Sequence, residues 1–157
     1  MNEADAAPVP AAPPAQTPDS RVLVAVSSPW ASEKLITPVA DLAKRLSCDV
    51  VIAHVATLQD QDDHESEATE RGEQTLRTMV KGLGQRGVTA EGVMLFSDDT
   101  PKAILNTARA RRCTMIALGL TGKGALKRLI SGDVPANLIR QTDLPVLLLP
   151  ANWDGTL

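Results

Sequence analysis

The chain has no tyrosine, one phenylalanine and two tryptophans among its 157 residues. A surface that stacks nucleic-acid bases needs several aromatic rings, so this scarcity argues against single-strand binding. There is no excess of positive charge either: 16 Lys and Arg stand against 19 Asp and Glu, for a net charge of −3. The molecule as a whole is not drawn to a polyanion by electrostatics. Cysteine is nearly absent. Cys48 and Cys113 are far apart, form no CxxC pattern and each precede an apolar run, which reads as two small reduced residues rather than a disulfide or redox pair. No run of about 18 apolar residues occurs, so no membrane-spanning helix is expected. The opening stretch "MNEADAAPVPAAPPAQTPDS" has neither a basic start nor an apolar h-region and does not read as a secretory signal. A cytoplasmic protein is expected.

What is present divides into three parts. Residues 1–20 are rich in Pro and Ala, which build no packed core and deny the segment a helix, so they read as a disordered arm. Residues 21–150 carry the folded domain, and 151–157 a tail. Within the domain, "RVLVAVS" (21–27), "CDVVIAHVA" (48–56), "VTAEGVMLF" (88–96), "CTMIALG" (113–119) and "DLPVLLLP" (143–150) are short Val/Leu/Ile-rich runs of the kind found in buried strands. Between them lie helical patterns. Leu35, Val39, Leu42 and Leu46 form an apolar stripe, with Pro38 inside it as a start or a kink. Leu76, Met79, Val80 and Leu83 form a second, stopped by Gly84 and Gly87. Thr100 and Pro101 suit the cap and first position of a third helix, and "DVPANLIRQT" reads as a fourth. Strands and helices alternate, which implies a doubly covered parallel sheet. Ligands of such sheets bind beyond the C-terminal strand ends, where the strand order reverses. Ser27 to Trp30 and the segment from Gly119 onward would meet there.

The stretch "GLTGKGALKRLISGD" (119–133) has the composition of a phosphate-holding loop. It is not a Walker A loop, because Ala125 and Leu126 follow where Lys and Ser or Thr are needed. It also lacks GxGxxG. A different spacing holds: Gly119, two residues, Gly122, nine residues, Gly132, then a capping residue before a helix. Taken with the opening "VLVAV", the ending "IAHV", the run "TPKAILNTARARRCTMIALG" and the closing "PVLLLP", this order resembles the universal stress protein family over nearly all of residues 21–150.

The resemblance implies a Rossmann-like α/β fold, an open twisted sheet of five parallel strands with helices on both faces. It implies a homodimer paired through the last strand, here Val146, Leu147, Leu148 and Leu149. Such pairing would also cover an exposed sheet edge. Some members bind ATP. By the resemblance the candidate nucleotide-site residues are Ser27, Val55, Gly119, Gly122, Lys123, Gly132 and Asp133. Two of them depart from the binding pattern. Ser27, in Ser27-Ser28-Pro29, stands where binders carry the Asp of a "DGS" triplet, and Asp133 stands where they carry Ser or Thr.

Position 133 immediately precedes a helix, where free backbone N–H groups and the helix dipole attract anions. Ser or Thr caps and leaves room for a phosphate. Asp caps and supplies the anion itself. A unit charge about 4 Å from a phosphate costs about 1 to 4 kcal/mol of repulsion. A degenerate site in a non-catalytic, dimeric stress-response module acting through protein contacts is therefore the leading expectation. The alternative is an ATP- or AMP-binding sensor with slow hydrolysis, in which Mg²⁺ turns Asp133 into a metal ligand. AMP or a cyclic nucleotide would meet less repulsion than ATP.

Other candidates are weaker. His54 has no acid beside it in sequence and reads as a hydrogen-bonded residue near the sheet end. Asp60, Asp62, Asp63 and His64 lack the glycine turn of a calcium loop and read as a solvated face. Ser27 and Ser28 lack the glycines of a nucleophile elbow. Lys123, Lys127 and Arg128 read as a solvated basic loop; the alternative is that at least one of them faces a phosphate.

Overall fold

The computed structural model describes residues 20–26, 29–56, 65–120 and 134–150. Among the described residues nine elements alternate: β1 (Arg21–Val26), α1 (Pro29–Leu46), β2 (Asp49–Ala56), α2 (Glu65–Gln85), β3 (Ala90–Phe96), α3 (Thr100–Ala110), β4 (Met115–Leu120), α4 (Val134–Gln141) and β5 (Val146–Pro150). The strands form one sheet in the order β3-β2-β1-β4-β5. Every pairing is parallel. The fold is the doubly covered parallel sheet that the alternation implied, in the Rossmann-like five-stranded form that the resemblance implied. The arm before Ser20 and the tail after Pro150 lie outside the described residues.

Side chains alternate across each strand, and the two faces bury different helices. Val22, Val24, Val26, Val50 and Ile52 pack with Leu35, Val39, Leu76, Met79 and Leu83 of α1 and α2. Leu23, Val51, Ala53, Ile116 and Leu118 pack with Ile104, Leu105, Ala108 and Leu138 of α3 and α4. α1 and α2 approach closely at Gly82, where a Cβ would lie 2.7 Å from Ile36 Cδ1. Pro38 is buried, and α1 runs through it from Pro29 rather than starting there.

Three helices stop in the same way. Ser47, Gly87 and Arg112 each adopt a left-handed φ, at 50°, 78° and 55°. After α1, Ser47 N–H donates to Lys44 O and Cys48 N–H to Ala43 O. After α2, Gly87 donates to Gly84 O and Val88 to Leu83 O. After α3, Arg112 donates to Arg109 O and Cys113 to Ala108 O. This is the Schellman motif, which satisfies the last helical carbonyls and wants an apolar residue just beyond the left-handed one. The two cysteines hold that position. Both are free; Cys113 is buried and Cys48 half-buried.

The start of α3 differs from the sequence expectation. Asp99, not Thr100, is the cap: its Oδ1 accepts from the Lys102 backbone N–H at 3.1 Å, and Thr100 is the first helical residue. A carboxylate is the stronger acceptor and gains from the helix dipole, so it outcompetes the neighbouring hydroxyl.

Candidate functional site

The strand order reverses at β1. The chain moves outward through β2 and β3, then crosses back to lay β4 on the other side of β1. α1, which follows β1, packs over one face, while α4, which follows β4, packs over the other. These diverging connections open a crevice above the C-terminal ends of β1 and β4, the place where open parallel sheets hold ligands. Ala25 pairs with Leu118 in the last register position of the two strands, so Val26 and Gly119 border this crevice.

Gly119 and Val55 are the candidate site residues among those described. Gly119 lies in β4 beside Leu149 of β5. A Cβ on it would sit 2.9 Å from Leu35 Cδ1 of α1. Its lack of a side chain therefore has a packing cause, the close approach of α1 to β4, in addition to any ligand. Val55 lies next to Leu95 of β3 near the end of β2. It is half-buried and packs against the α3-side core. Ser27, Gly122, Lys123, Gly132 and Asp133 lie outside the described residues, as do Asp60, Asp62, Asp63 and His64. α4 begins at Val134, so Asp133 directly precedes a helix, as its spacing required.

His54 reaches the same end of the sheet and was not assigned to the site. Its Nδ1 lies 3.0 Å from the Val26 carbonyl oxygen. A carbonyl only accepts, so in the neutral ring the proton sits on Nδ1 and Nε2 is unprotonated. α2 lies directly on the ring: a Cβ at Gly72 would come 2.7 Å from His54 Cδ2. Burial pushes the imidazole pKa below its ordinary value, against the bond to Val26, which raises it. His54 is thus a neutral strut between β1 and β2, with no described carboxylate hydrogen-bonded to it. The sequence reading of His54 as a hydrogen-bonded residue near the sheet end holds, while its partner Val26, on another strand, was not legible.

The described charges at this end are mostly negative. Exposed Glu67, Glu70, Asp98 and Asp99 outnumber Arg71 and Lys102, while Glu33 and Lys34 offset each other. Arg71 is already paired with Glu67 at 3.3 Å. The described part of the site therefore offers an apolar margin at Val55 and a side-chain-free strand at Gly119. No group of three or more metal-ligating side chains occurs among the described residues. No helix among them is long and apolar enough to cross a membrane.

Comparison with known proteins agrees with this architecture. The chain is similar to a universal stress protein from Archaeoglobus fulgidus in complex with dAMP, with a TM-score of 0.63, 20% identity, and 82% of this chain and 96% of that chain covered. It is similar to a universal stress protein in complex with cAMP, with a TM-score of 0.65, 18% identity, and 83% and 96% covered. A universal stress family protein from Burkholderia pseudomallei aligns with a TM-score of 0.66, 20% identity, and 84% and 96% covered. Among curated proteins, none matches. The model of the Universal stress protein family matches residues 20–150, the whole of the described sheet and its helices, and the chain belongs to that family.

Proposed function

We propose that the chain is a non-catalytic stress-response module that forms a homodimer, takes at most a weakly held adenine mononucleotide, and acts through protein contacts. The observation that carries this reading is a pair of sequence departures from the binding pattern: Ser27, the next residue in sequence after β1, and Asp133, the residue before α4. The acidic surroundings of the described strand ends support it, since they add to the repulsion a triphosphate would meet. The dAMP and cAMP complexes of similar folds support a ligand with one phosphate group. The dimer would use β5, whose Val146, Leu147 and Leu148 are only half-buried at an open sheet edge. A cytoplasmic location belongs to the same reading.

Within the site, Gly119 would let a ligand approach the β4 backbone, and Val55 would present an apolar surface to a base. Gly122, Gly132 and Lys123 would supply backbone N–H groups and one cation. A calorimetric titration with AMP and with ATP, each with and without Mg²⁺, tests the proposal. It expects weak AMP binding and weaker or absent ATP binding. Micromolar ATP binding that requires Mg²⁺ would favour the second reading, a nucleotide sensor with Asp133 on the metal, which the retained glycine spacing supports.

A further inference from the structure

The opposite end of the sheet, where the strands begin, carries a different charge from the rest of the chain. Three stretches converge there through backbone bonds. Asp49 N–H donates to Ser20 O, and Thr114 N–H to Arg21 O. The end of α1, the start of β1 and the end of α3 thus form one contiguous surface. It bears Lys44, Arg45, Arg21 and Arg112, all exposed except Arg21, which is half-buried. Arg111 is held by Glu91, and Arg21 donates to the Arg111 carbonyl oxygen at 3.3 Å. Asp49 and, one turn before Lys44 and Arg45 on α1, Asp41 are exposed carboxylates here with no ion pair among the described residues. A chain of net charge −3 therefore presents a locally cationic face.

Lys44 and Arg45 have a local reason to be there, because they offset the negative end of the α1 dipole. Arg112 has none. It occupies the left-handed position of a Schellman turn that α2 makes with Gly87. Glycine is the unstrained residue for that position, so the turn does not call for a guanidinium. The side chain is exposed and has no carboxylate partner among the described residues. Beside these cations stands Leu46, 44% exposed at the last residue of α1.

We propose that this surface docks an acidic peptide segment of a partner protein, with an apolar residue seated on Leu46. Three of the four cations are arginines, whose planar forks match carboxylates. Phe96 lies at the other end of the sheet, and the described residues of this surface include no aromatic ring for base stacking. The proposal rests on the protein-contact part of the function proposed above. It is independent of the nucleotide site, which lies at the opposite strand ends, so either can fail alone.

Fluorescence anisotropy of the full chain with a labelled acidic peptide carrying one central leucine tests it. Binding is expected at low salt and lost at high salt, because exposed charges are screened over about 10 Å at 0.1 M. Arg112→Gly is expected to weaken binding about two- to fivefold, as for loss of one exposed pair, with an unchanged or raised melting temperature. Lys44→Gln with Arg45→Gln weakens it further, and the glutamine counterpart of the peptide does not bind. The proposal is overturned if no binding occurs at low salt or if these variants bind as the parent does. It is equally overturned if anionic phospholipid vesicles or polyuridylate bind more tightly than the peptide.

Discussion

Val26 and His54 are register partners on β1 and β2, and the imidazole Nδ1 closes a 3.0 Å bond to the Val26 carbonyl oxygen. The bond ties the strand that borders the crevice at the reversal of strand order to the strand beside it. The imidazole is held neutral by burial, with its pKa below the ordinary 6.5. Below that pH the unfolded chain binds the proton more readily than the folded one, so stability falls as pH falls. Urea unfolding is expected to show a midpoint that declines between about pH 7 and about pH 5. His54→Gln is expected to reduce that decline. An equal decline in parent and variant would show that the ring does not titrate with folding.

Two glycines of α2 make opposite predictions. A Cβ at Gly72 would meet both His54 Cδ2 and Met94 Cε at 2.7 Å, whereas at Gly84 nothing lies within 4 Å. Alanine gains about 1 kcal/mol over glycine in a helix. Overpacking a filled site costs about 1 to 3 kcal/mol. Gly84→Ala is therefore expected to stabilise by about 0.5 to 1 kcal/mol. Gly72→Ala is expected to be neutral or destabilising by up to about 2 kcal/mol. Thermal unfolding of the two variants separates them.

The cysteines differ although they occupy equivalent turns. Burial raises both thiols, and Cys113 reaches about 11 despite the cations of Arg21 and Arg111. The thiolate is the reactive form. Labelling of the native protein near pH 8 with a disulfide reagent is expected to modify Cys48 first and Cys113 only slowly, as mass spectrometry of the peptides would show. The neutral Cys113 thiol contributes stability below its ordinary pKa of 9.0, and that contribution declines as pH rises toward about 11.

Asp99 caps α3 from a position one residue earlier than the sequence suggests. Asp99→Ala is expected to cost about 1 kcal/mol. Thr100→Ala, which removes no capping bond, is expected to cost less. The reverse order in chemical denaturation would restore Thr100 as the cap.

The order of elements was legible because buried parallel strands leave continuous apolar runs, and helices leave stripes such as Leu35, Val39 and Leu42. Strand starts were read early by as much as three residues. Cys48, Cys113 and Val88 are apolar, yet each closes a helix rather than opening a strand, and hydrophobicity alone does not separate those roles. The placing of Asp133 directly before α4 was also legible from the glycine spacing. The packing reason for Gly119 was not, because Leu35 lies far away in sequence and meets it only once α1 covers β4. The cationic face was hidden for the same cause. Lys44, Arg21 and Arg112 are scattered along the chain and converge only through the parallel topology, while the net charge has the opposite sign.

The most direct test of the nucleotide account is calorimetric titration of ATP into the parent and into Asp133→Ser. The account predicts little or no heat from the parent and a gain in affinity of about tenfold or more in the variant, corresponding to roughly 1.4 kcal/mol of repulsion removed. Tight ATP binding by the parent, weakened by the substitution, would contradict it and place Asp133 among the residues that hold the ligand.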